Sequence, residues 1–420
     1  MLASRFSITS PVTLLLTAAW LLPATALAQP DPLTLDQAVA LAKAADEPEL
    51  ERFEQRAMAL ENEAIADAQL PDPMVTGQVA NVPTDSFEFD QDGMTQALRI
   101  GLRQEFPAGR TLALRGEQRG TASAIERAHK RLAQREIELQ VRNAWLELAW
   151  HERAQAILGD SRAAVEEQID SLTARFASGN LDAQDVSRAD LELALLDDEL
   201  TEHRRQADSA RAALARYIGN AAFRSLPAEL PAMPEPAPLE ALEDRLVEHP
   251  AAEAERKRID SAEYGVAIAE QAYKPRFALE GGYGFRADRA DLATIGVTLS
   301  VPLFTDKRQD RRRAAAVQQM SAAELDHHAL LLDLRRQLEQ ALVDWRRLQE
   351  RLALYAETIS ERAQQTAAAS VSTYADSQTD FAELIRDQLA EIRIRLKRAE
   401  LETEAARSWA RLNYLVGDPS

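Results

Sequence analysis

The stretch Leu98-Arg-Ile-Gly-Leu-Arg-Gln-Glu-Phe106 is an alternating segment that leads, within a few residues, into a very long helical one. One face carries Leu98, Ile100, Leu102 and Phe106, and the other carries Arg99, Gly101, Arg103 and Glu105. Alternation with a period of two predicts a β-strand with one apolar face. From Thr111 to about Ala177 the chain has no proline and few glycines, which predicts an unusually long helix.

The helical segments carry apolar residues at alternating intervals of three and four. The seven-residue columns include Ile125, Leu132, Leu139 and Leu146, then Val186, Leu193, Leu200, Ala207 and Leu214, then Leu338, Trp345, Leu352 and Ile359. Such columns are typical of coiled-coil packing. At 1.5 Å of rise per residue, a helix over 111–177 would be ~100 Å long. We therefore expect helices that cross a space rather than fill a compact domain.

A proline-rich segment at 227–238 divides the chain into two halves of similar length that repeat each other. Its five prolines in twelve residues predict an extended linker. Pro48 corresponds to Pro250, and Pro73 to Pro275, at the same offset of 202 residues. Other pairs match at slightly different offsets, as loop insertions would produce. The simple explanation is a two-fold internal duplication.

Each half is predicted as a helix, two strands and a helical hairpin. The first repeat spans 29–226, with strands at about 74–80 and 97–106 and a hairpin over 111–219. The second spans 239–417, with strands at about 276–286 and 294–302 and a hairpin over 306–417. The expected fold class is mainly α with a small β part, namely long coiled-coil hairpins plus four β-strands per chain in two internal repeats.

The N-terminal segment 1–28 has the features of a cleavable signal peptide. A single Arg5 precedes the apolar run Val12 to Leu22, and the small residues Ala26 and Ala28 define a cleavage site after Ala28. The alternative is an uncleaved N-terminal anchor. No other segment offers the ~20 consecutive apolar residues of a membrane helix. A membrane-embedded part would therefore have to consist of β-strands.

Composition argues against several functional classes. A net charge of −19 disfavours binding to nucleic acid. The chain has no cysteine, which excludes disulfides, thiolate metal sites and a cysteine nucleophile. We find no Ser-His-Asp context and no cluster of metal ligands, so we expect no enzyme, no cofactor and no metal site.

The histidines show no metal-binding spacing. His327 and His328 are adjacent and diverge by about 100° on a helix, and His203 lies on a coiled-coil seam. We expect His129, His151 and His249 to be isolated. A basic run consists of Lys307, Arg308 and Arg311 to Arg313. It can lie against anionic lipid headgroups, or it can be an ordinary solvated helix end.

Four strands are too few to close a membrane barrel within one chain. Apolar side chains would face lipid, and the predicted lumen would receive Arg99, Arg103, Glu105, Arg276 and Glu280. Unpaired backbone groups at an open sheet edge cost several kcal/mol each in hydrocarbon, so neighbouring chains would have to share the barrel. Two chains would fill the interior with side chains and three would leave a wider bore, which a transport role favours. The alternative is a soluble four-stranded sheet covered by helices.

Several segments resemble the TolC-type outer-membrane efflux proteins. Phe176-Ala-Ser-Gly-Asn-Leu-Asp-Ala-Gln-Asp-Val-Ser-Arg-Ala-Asp-Leu191 is similar to that family's hairpin turn, and Tyr374-Ala-Asp-Ser-Gln-Thr-Asp-Phe-Ala-Glu-Leu384 to its second copy. Gln104-Glu-Phe-Pro-Ala-Gly-Arg110 and Val301-Pro-Leu-Phe304 resemble its strand-to-helix junctions. The segments 70–74 and 81–95 resemble the heavy-metal (CzcC- and CusC-like) branch.

This resemblance implies a homotrimer with a twelve-stranded barrel in outer-membrane lipid and an α-helical tunnel in the periplasm of a Gram-negative bacterium. It also implies a periplasmic membrane-fusion adaptor and, through it, an inner-membrane resistance-nodulation-division pump, with metal cations among the possible cargo. Two departures are visible. Ser377 replaces the usual turn glycine of the second hairpin, and there is no N-terminal cysteine for a lipid anchor.

The resemblance also suggests two groups of site residues. The adaptor-docking tips would consist of Phe176, Gly179, Leu181, Asp185, Val186, Tyr374, Ser377, Thr379 and Phe381. An acidic periplasmic gate would consist of Asp380, Glu383 and Asp387, whose spacings of three and four place them on one helical face. The alternatives are residues that merely reverse the chain and an ordinary solvated helix face. At the level of the whole protein, the alternative is a periplasmic coiled-coil adaptor or scaffold without a membrane barrel.

Overall fold

The computed structural model describes residues 31–90, 93–177, 183–375 and 381–417. This part of the chain is mostly helical and contains one four-stranded antiparallel sheet with the strand order β1-β2-β3-β4. The fold class predicted from the alternating and heptad patterns is thus confirmed for a single chain. The signal-peptide prediction for 1–28 lies outside the described residues.

The first half contains four helices and two strands. These are α1 (Leu35–Ala44), α2 (Pro48–Asp67), β1 (Met74–Ala80), β2 (Gln96–Phe106), α3 (Thr111–Ala177) and α4 (Ala183–Ile218), with a 3-10 turn at Gly219–Phe223. Local chemistry fixes the helix starts. Thr34 accepts a hydrogen bond from the backbone of Gln37, whose side chain accepts one from the backbone of Thr34 in return, a capping box. Pro48 occupies the first turn of α2, where its missing N–H costs nothing.

The second half repeats this order with one interruption. It contains α5 (Leu239–Glu243), a 3-10 turn (Asp244–Glu248), α6 (Pro250–Gln271), β3 (Arg276–Phe285), β4 (Leu292–Ser300) and α7 (Gln309–Leu354). A π-helical turn at Tyr355–Ile359 then separates α7 from α8 (Ser360–Ala375), and α9 (Phe381–Val416) returns. Nothing comparable divides α3, which is 67 residues long.

β4 begins and ends two residues before the alternation alone suggested. Its last ladder pair joins Ser300 to Arg276, and its first joins Leu292 to Gly284. Pro302 has no N–H to donate, and it restricts the residue before it, so the ladder ends short of it. At the other end, Leu292 extends the ladder by continuing the same register.

The long helices pack side by side, each against the next, in what we call the helical arc. Beside the sheet, α3 packs against α2 and α6, and α6 packs against α7. Farther away, α3 packs against α4 and α9, while α9 also contacts α7 and α8. Trp145, Leu146 and Leu338 are fully buried between these helices. None of the helices in the described part combines the length and apolarity that crossing a membrane requires.

Candidate functional site

The sheet separates apolar and charged side chains onto opposite faces. Residues paired across an antiparallel ladder share a face. Leu98 pairs with Phe285 and Leu279 with Val297, which places them on the apolar face. Arg103 pairs with both Met74 and Glu280 on the other side. The alternation predicted from sequence therefore holds through all four strands.

The apolar face is open to its surroundings. Its side chains at least 40% exposed are Val75, Val79, Leu98, Ile100, Leu102, Phe277, Leu279, Tyr283, Phe285, Ile295, Val297 and Leu299. Ile295 is the extreme case at 90% exposure. Contiguous exposed apolar patches larger than a few hundred Å² are rare on soluble monomers and mark a partner or a membrane. This sheet face is built for a nonaqueous contact.

The five residues predicted to face a lumen all lie on the polar face. Arg103 forms the centre of a small network. Its Nη1 donates to Glu280 Oε1 at 2.6 Å, and its Nη2 donates to Glu105 Oε1 at 3.3 Å. Arg99 makes no ion pair with any residue of the described ranges, and neither does Arg276. Three arginines against two glutamates leave this face with an excess of positive charge, although the whole chain is acidic.

Both lateral edges of the sheet are open. β1 pairs only with β2, and β4 only with β3, throughout the described residues. The helical arc has free sides as well, because α2 and α4 bound it on one side and α7 bounds it on the other. The unpaired N–H and C=O groups of an open sheet edge can pair with a strand of another chain. In the described residues, one chain therefore leaves both edges of its sheet available for pairing.

The first predicted tip falls largely outside the described part of the chain. Gly179 and Leu181 lie outside the described residues, as do the side chains of Phe176 and Asp185. Val186 lies near the start of α4 and is half-buried. Its predicted part in docking stays a prediction.

The second predicted tip is described on both sides of its turn. Ser377, Thr379 and the turn itself lie outside the described residues. Tyr374 and Phe381 pack edge to face with ring centroids 6.1 Å apart. Phe381 is only 2% exposed, because it is packed into the core shared by α3, α4 and α9. Phe381 therefore supports the tip through packing contacts within its own chain.

The two described gate candidates lie four residues apart on α9. Glu383 is exposed and Asp387 is half-buried, while Asp380 lies outside the described residues. Asp387 accepts a hydrogen bond from the hydroxyl of Ser370 on α8, a residue only 7% exposed. The carboxylate of Asp387 therefore ties the two helices of the second hairpin together at this level.

The expectation that His151 is isolated is wrong. The α3–α4 packing brings His151 Nδ1 within 2.8 Å of His203 Nδ1, and His151 Nε2 lies 3.1 Å from Glu147 Oε1. Burial lowers the pKa of both histidines, which favours two neutral rings joined by one hydrogen bond between their Nδ1 atoms. Nothing in the sequence pairs these two positions, because 52 residues separate them. The described residues contain no group of three or more His, Asp or Glu side chains that could hold a metal ion.

Comparisons with known proteins agree with this architecture. Residues 241–417 match the model of a family described as outer membrane efflux protein. No curated protein matches the chain in sequence.

Solved structures share the fold over nearly the whole chain. The outer-membrane channel OprN matches with a TM-score of 0.76 and 19% identity, covering 91% of this chain and 90% of its own. VceC from Vibrio cholerae matches with a TM-score of 0.75 and 17% identity, covering 91% of this chain and 96% of its own. CusC matches at 0.77 and 12%, covering 92% of both chains.

Proposed function

We propose that the chain is one protomer of an efflux channel, the exit duct of a tripartite efflux system, because residues 241–417 match the model of the outer membrane efflux protein family. Its place is the outer membrane, with the long helices in the periplasm. Substrates would enter at the hairpin end and leave through the sheet end. The role is transport, and no catalytic step is part of it.

The observation that carries this proposal is the exposed apolar face of the sheet. A row of side chains such as Ile295 and Val297 is stable in contact with lipid, while the opposite face keeps Arg103 and Glu280 in water. A periplasmic adaptor or scaffold without a membrane part would leave the apolar face in water. The channel is therefore the better explanation of the same sheet.

The open edges support closure by identical neighbours. Each unpaired backbone group in hydrocarbon costs several kcal/mol, so β4 of one copy would pair with β1 of the next. In the same ring, α7 would pack beside the α2 and α4 of its neighbour. Three copies would supply twelve strands and a bore wide enough for passage. We therefore propose a homotrimer with a twelve-stranded barrel embedded in outer-membrane lipid.

The partners follow from the family resemblance of the two hairpin turns. The tip residues from Phe176 to Val186 and from Tyr374 to Phe381 would bind a periplasmic membrane-fusion adaptor. The adaptor would connect the channel to an inner-membrane resistance-nodulation-division pump. The resemblance of segments 70–74 and 81–95 to the heavy-metal branch suggests metal cations as cargo.

The gate is proposed at the periplasmic end. In a threefold ring, Asp380, Glu383 and Asp387 would each form a ring of three carboxylates. Such rings attract cations and resist the approach of further negative charge. Because Asp387 is bonded to Ser370, opening would require either this bond or the position of the whole hairpin to change.

The proposed function is tested with the full-length protein extracted from outer membranes in detergent. Light scattering should give the mass of a trimer, and planar bilayers should show discrete conductance steps. A monomer that stays in solution without detergent, or a trimer that never conducts, would overturn the proposal. Adaptor binding is a separate measurement, by surface plasmon resonance on wild-type protein and on a variant with Val186 changed to Asp.

The gate has its own matched test. Glu383→Ala and Asp387→Ala should raise the open probability and weaken cation preference in the same bilayers. Asp208→Ala is the control, because Asp208 is an exposed acid on α4 far from the tip, with 79% of its side chain accessible. Equal conductance in all three variants would remove the gate while leaving the channel intact.

A further inference from the structure

Four cationic side chains converge on one cavity where the sheet meets the helices. The cavity measures about 270 Å³. Its lining includes Lys274 between α6 and β3, Arg276 at the start of β3, and Arg308 and Arg312 at the start of α7. No aspartate or glutamate of the described residues lines it. The basic run noted in the sequence supplies only two of these four side chains, and the fold supplies the other two.

These four cations are not neutralised by the described part of the protein. The described residues form many ion pairs, and neighbouring cations take part in them, as Arg313 does with Glu270 at 3.0 Å and Arg110 with Glu117 at 3.3 Å. Within the same ranges, none of the four cavity cations has a carboxylate within 4.0 Å. Like charges gathered in this way repel each other, so the arrangement is favourable only when an anion completes it.

The cavity is held in shape by its neighbours. Gln271 Oε1 accepts from Lys274 Nζ at 2.8 Å and from the backbone N–H of Arg110 at 3.1 Å. Gly109 makes this possible, because its φ is +53° and a Cβ there would meet both Gln271 and Lys274. The turn between β2 and α3 thus fixes the Lys274 ammonium group.

Polar groups other than the cations also line the cavity. Gln309 is only 6% exposed, and its amide oxygen accepts from Arg308 Nε at 3.4 Å. Its amide nitrogen donates to no acceptor among the described residues, which leaves a donor of this largely buried side chain at the cavity wall. Gln309 is also the first residue of the 46-residue helix α7, whose N-terminal dipole favours negative charge.

We propose that this cavity is a binding site for a phosphate-type oxyanion. Guanidinium groups match phosphate oxygens with paired donors, and Lys274 adds a point charge. Since liquid water occupies about 30 Å³ per molecule, the cavity has room for a phosphate group together with ordered water. The site is a property of a single chain and does not depend on the channel role.

Two sources can supply the same chemistry. Arg276 pairs with Ser300 on the polar face of the sheet, where a dissolved phosphate ester would arrive. Leu303 and Phe304, which lie just beyond the cavity wall in sequence, are exposed and apolar, as suits a segment next to lipid. A phospholipid headgroup would then reach the same cations from the membrane boundary.

The experiment uses full-length protein in a nonionic detergent and a chloride-poor buffer. It is titrated by calorimetry with inorganic phosphate and, separately, with micelles containing phosphatidylglycerol or phosphatidylcholine. Phosphate or phosphatidylglycerol should bind, and Arg312→Gln should weaken binding by roughly tenfold or more, because it removes a charge-assisted hydrogen bond. Arg276→Gln should weaken binding by a similar factor, and it provides a second test of the site if Arg312→Gln fails to fold. Arg312→Lys should retain most of the affinity.

Arg311→Gln is the matched control. It removes the same charge one position away, outside the cavity, and should change affinity by less than about twofold at moderate salt. Binding of inorganic phosphate supports the site with a dissolved source, and binding of phosphatidylglycerol alone supports it with a lipid source. The proposal fails if neither ligand binds, if phosphatidylcholine micelles bind as well as phosphatidylglycerol, or if Arg311→Gln weakens binding as much as Arg312→Gln.

Discussion

The sheet and the middle of the helical arc treat large apolar side chains in opposite ways. In the arc, Trp145 and Leu338 are fully buried by their own chain, while in the sheet Ile295 and Val297 are 90% and 67% exposed. The arc therefore has its core within a single chain, whereas the sheet requires surroundings that one chain in water cannot provide. One chain thus combines helices that form their core in water with a sheet whose apolar face is suited to a nonaqueous environment. The change from one to the other occurs at the ends of the strands.

The largest expected effect comes from removing matched apolar side chains in the two regions. Trp145 is fully buried, and its Nε1 donates to Leu33 O at 3.0 Å. Trp145→Ala should lower the free energy of unfolding by about 3–5 kcal/mol, because a cavity and an unpaired carbonyl remain. Ile295→Ala should change it by less than about 0.5 kcal/mol in water. Denaturant unfolding followed by circular dichroism measures both, and equal losses would contradict the contrast.

The second prediction places a charge on each face of β4. Val297→Arg puts a guanidinium on the apolar face and should cost up to roughly 4 kcal/mol near the middle of a bilayer. Thr294→Arg puts the same group on the polar face, where it should be tolerated. The measurement is the amount of each variant recovered in outer membranes. Equal recovery would show that the apolar face does not contact lipid.

Much of this contrast is accessible from sequence, because strands and coiled coils leave periodic patterns. Even the weakest strand, Met74–Ala80, is predicted by Val75 and Val79 sharing a face. The heptad column through Trp345 is also predicted, but its last members, Leu352 and Ile359, are only half-buried. The π-helical turn at Tyr355–Ile359 adds a residue to the turn and rotates α8 relative to α7. Periodicity alone gives no sign of such a turn.

The parts that escaped prediction depend on contacts between distant segments. The His151–His203 pair requires the relative register of α3 and α4. The phosphate cavity requires the start of β3 beside the start of α7, although each of its arginines is visible in sequence. A net charge of −19 gives no hint of a cationic cavity, because a sum over the chain hides how charges are distributed.

The third prediction concerns the pH dependence of the helical arc. His249 caps α6, with its Nδ1 accepting from the backbone of Ala251 at 3.2 Å, and it is 1% exposed. Burial, with a smaller effect of Arg135, lowers the pKa of His249 from 6.5 to about 4. The folded state thus binds this proton less readily than the unfolded state. The contribution of His249 to the free energy of unfolding should be complete above pH 6.5. It should be lost as the pH falls towards 4, by on the order of 3 kcal/mol.

The measurement for His249 compares melting temperatures of wild type and His249→Asn between pH 7 and pH 4.5. Asparagine keeps an oxygen acceptor for the helix cap but does not titrate. The melting temperature of the variant should therefore depend less steeply on pH than that of wild type. Parallel slopes would assign the acid sensitivity to carboxylates elsewhere. The sheet, which contains no histidine, should contribute nothing to this difference.

The smallest expected effect tests how local the stability of the arc is. Thr34→Ala removes the capping box of α1 and should cost about 1 kcal/mol. Thr34→Ser keeps the hydroxyl and should stay within a few tenths of a kcal/mol of wild type. Unfolding curves of the two variants measure the difference directly. Indistinguishable curves would mean that α1 is held by packing alone.

The unpaired sheet edges have a genetic consequence. If every copy must pair with its neighbours, a chain that inserts into the membrane with a defective edge strand prevents closure of any ring it joins. The share of intact rings then falls as a power of the share of healthy chains. Alleles damaged along β1 or β4 should therefore be dominant over wild type, whereas alleles that prevent folding altogether should be recessive.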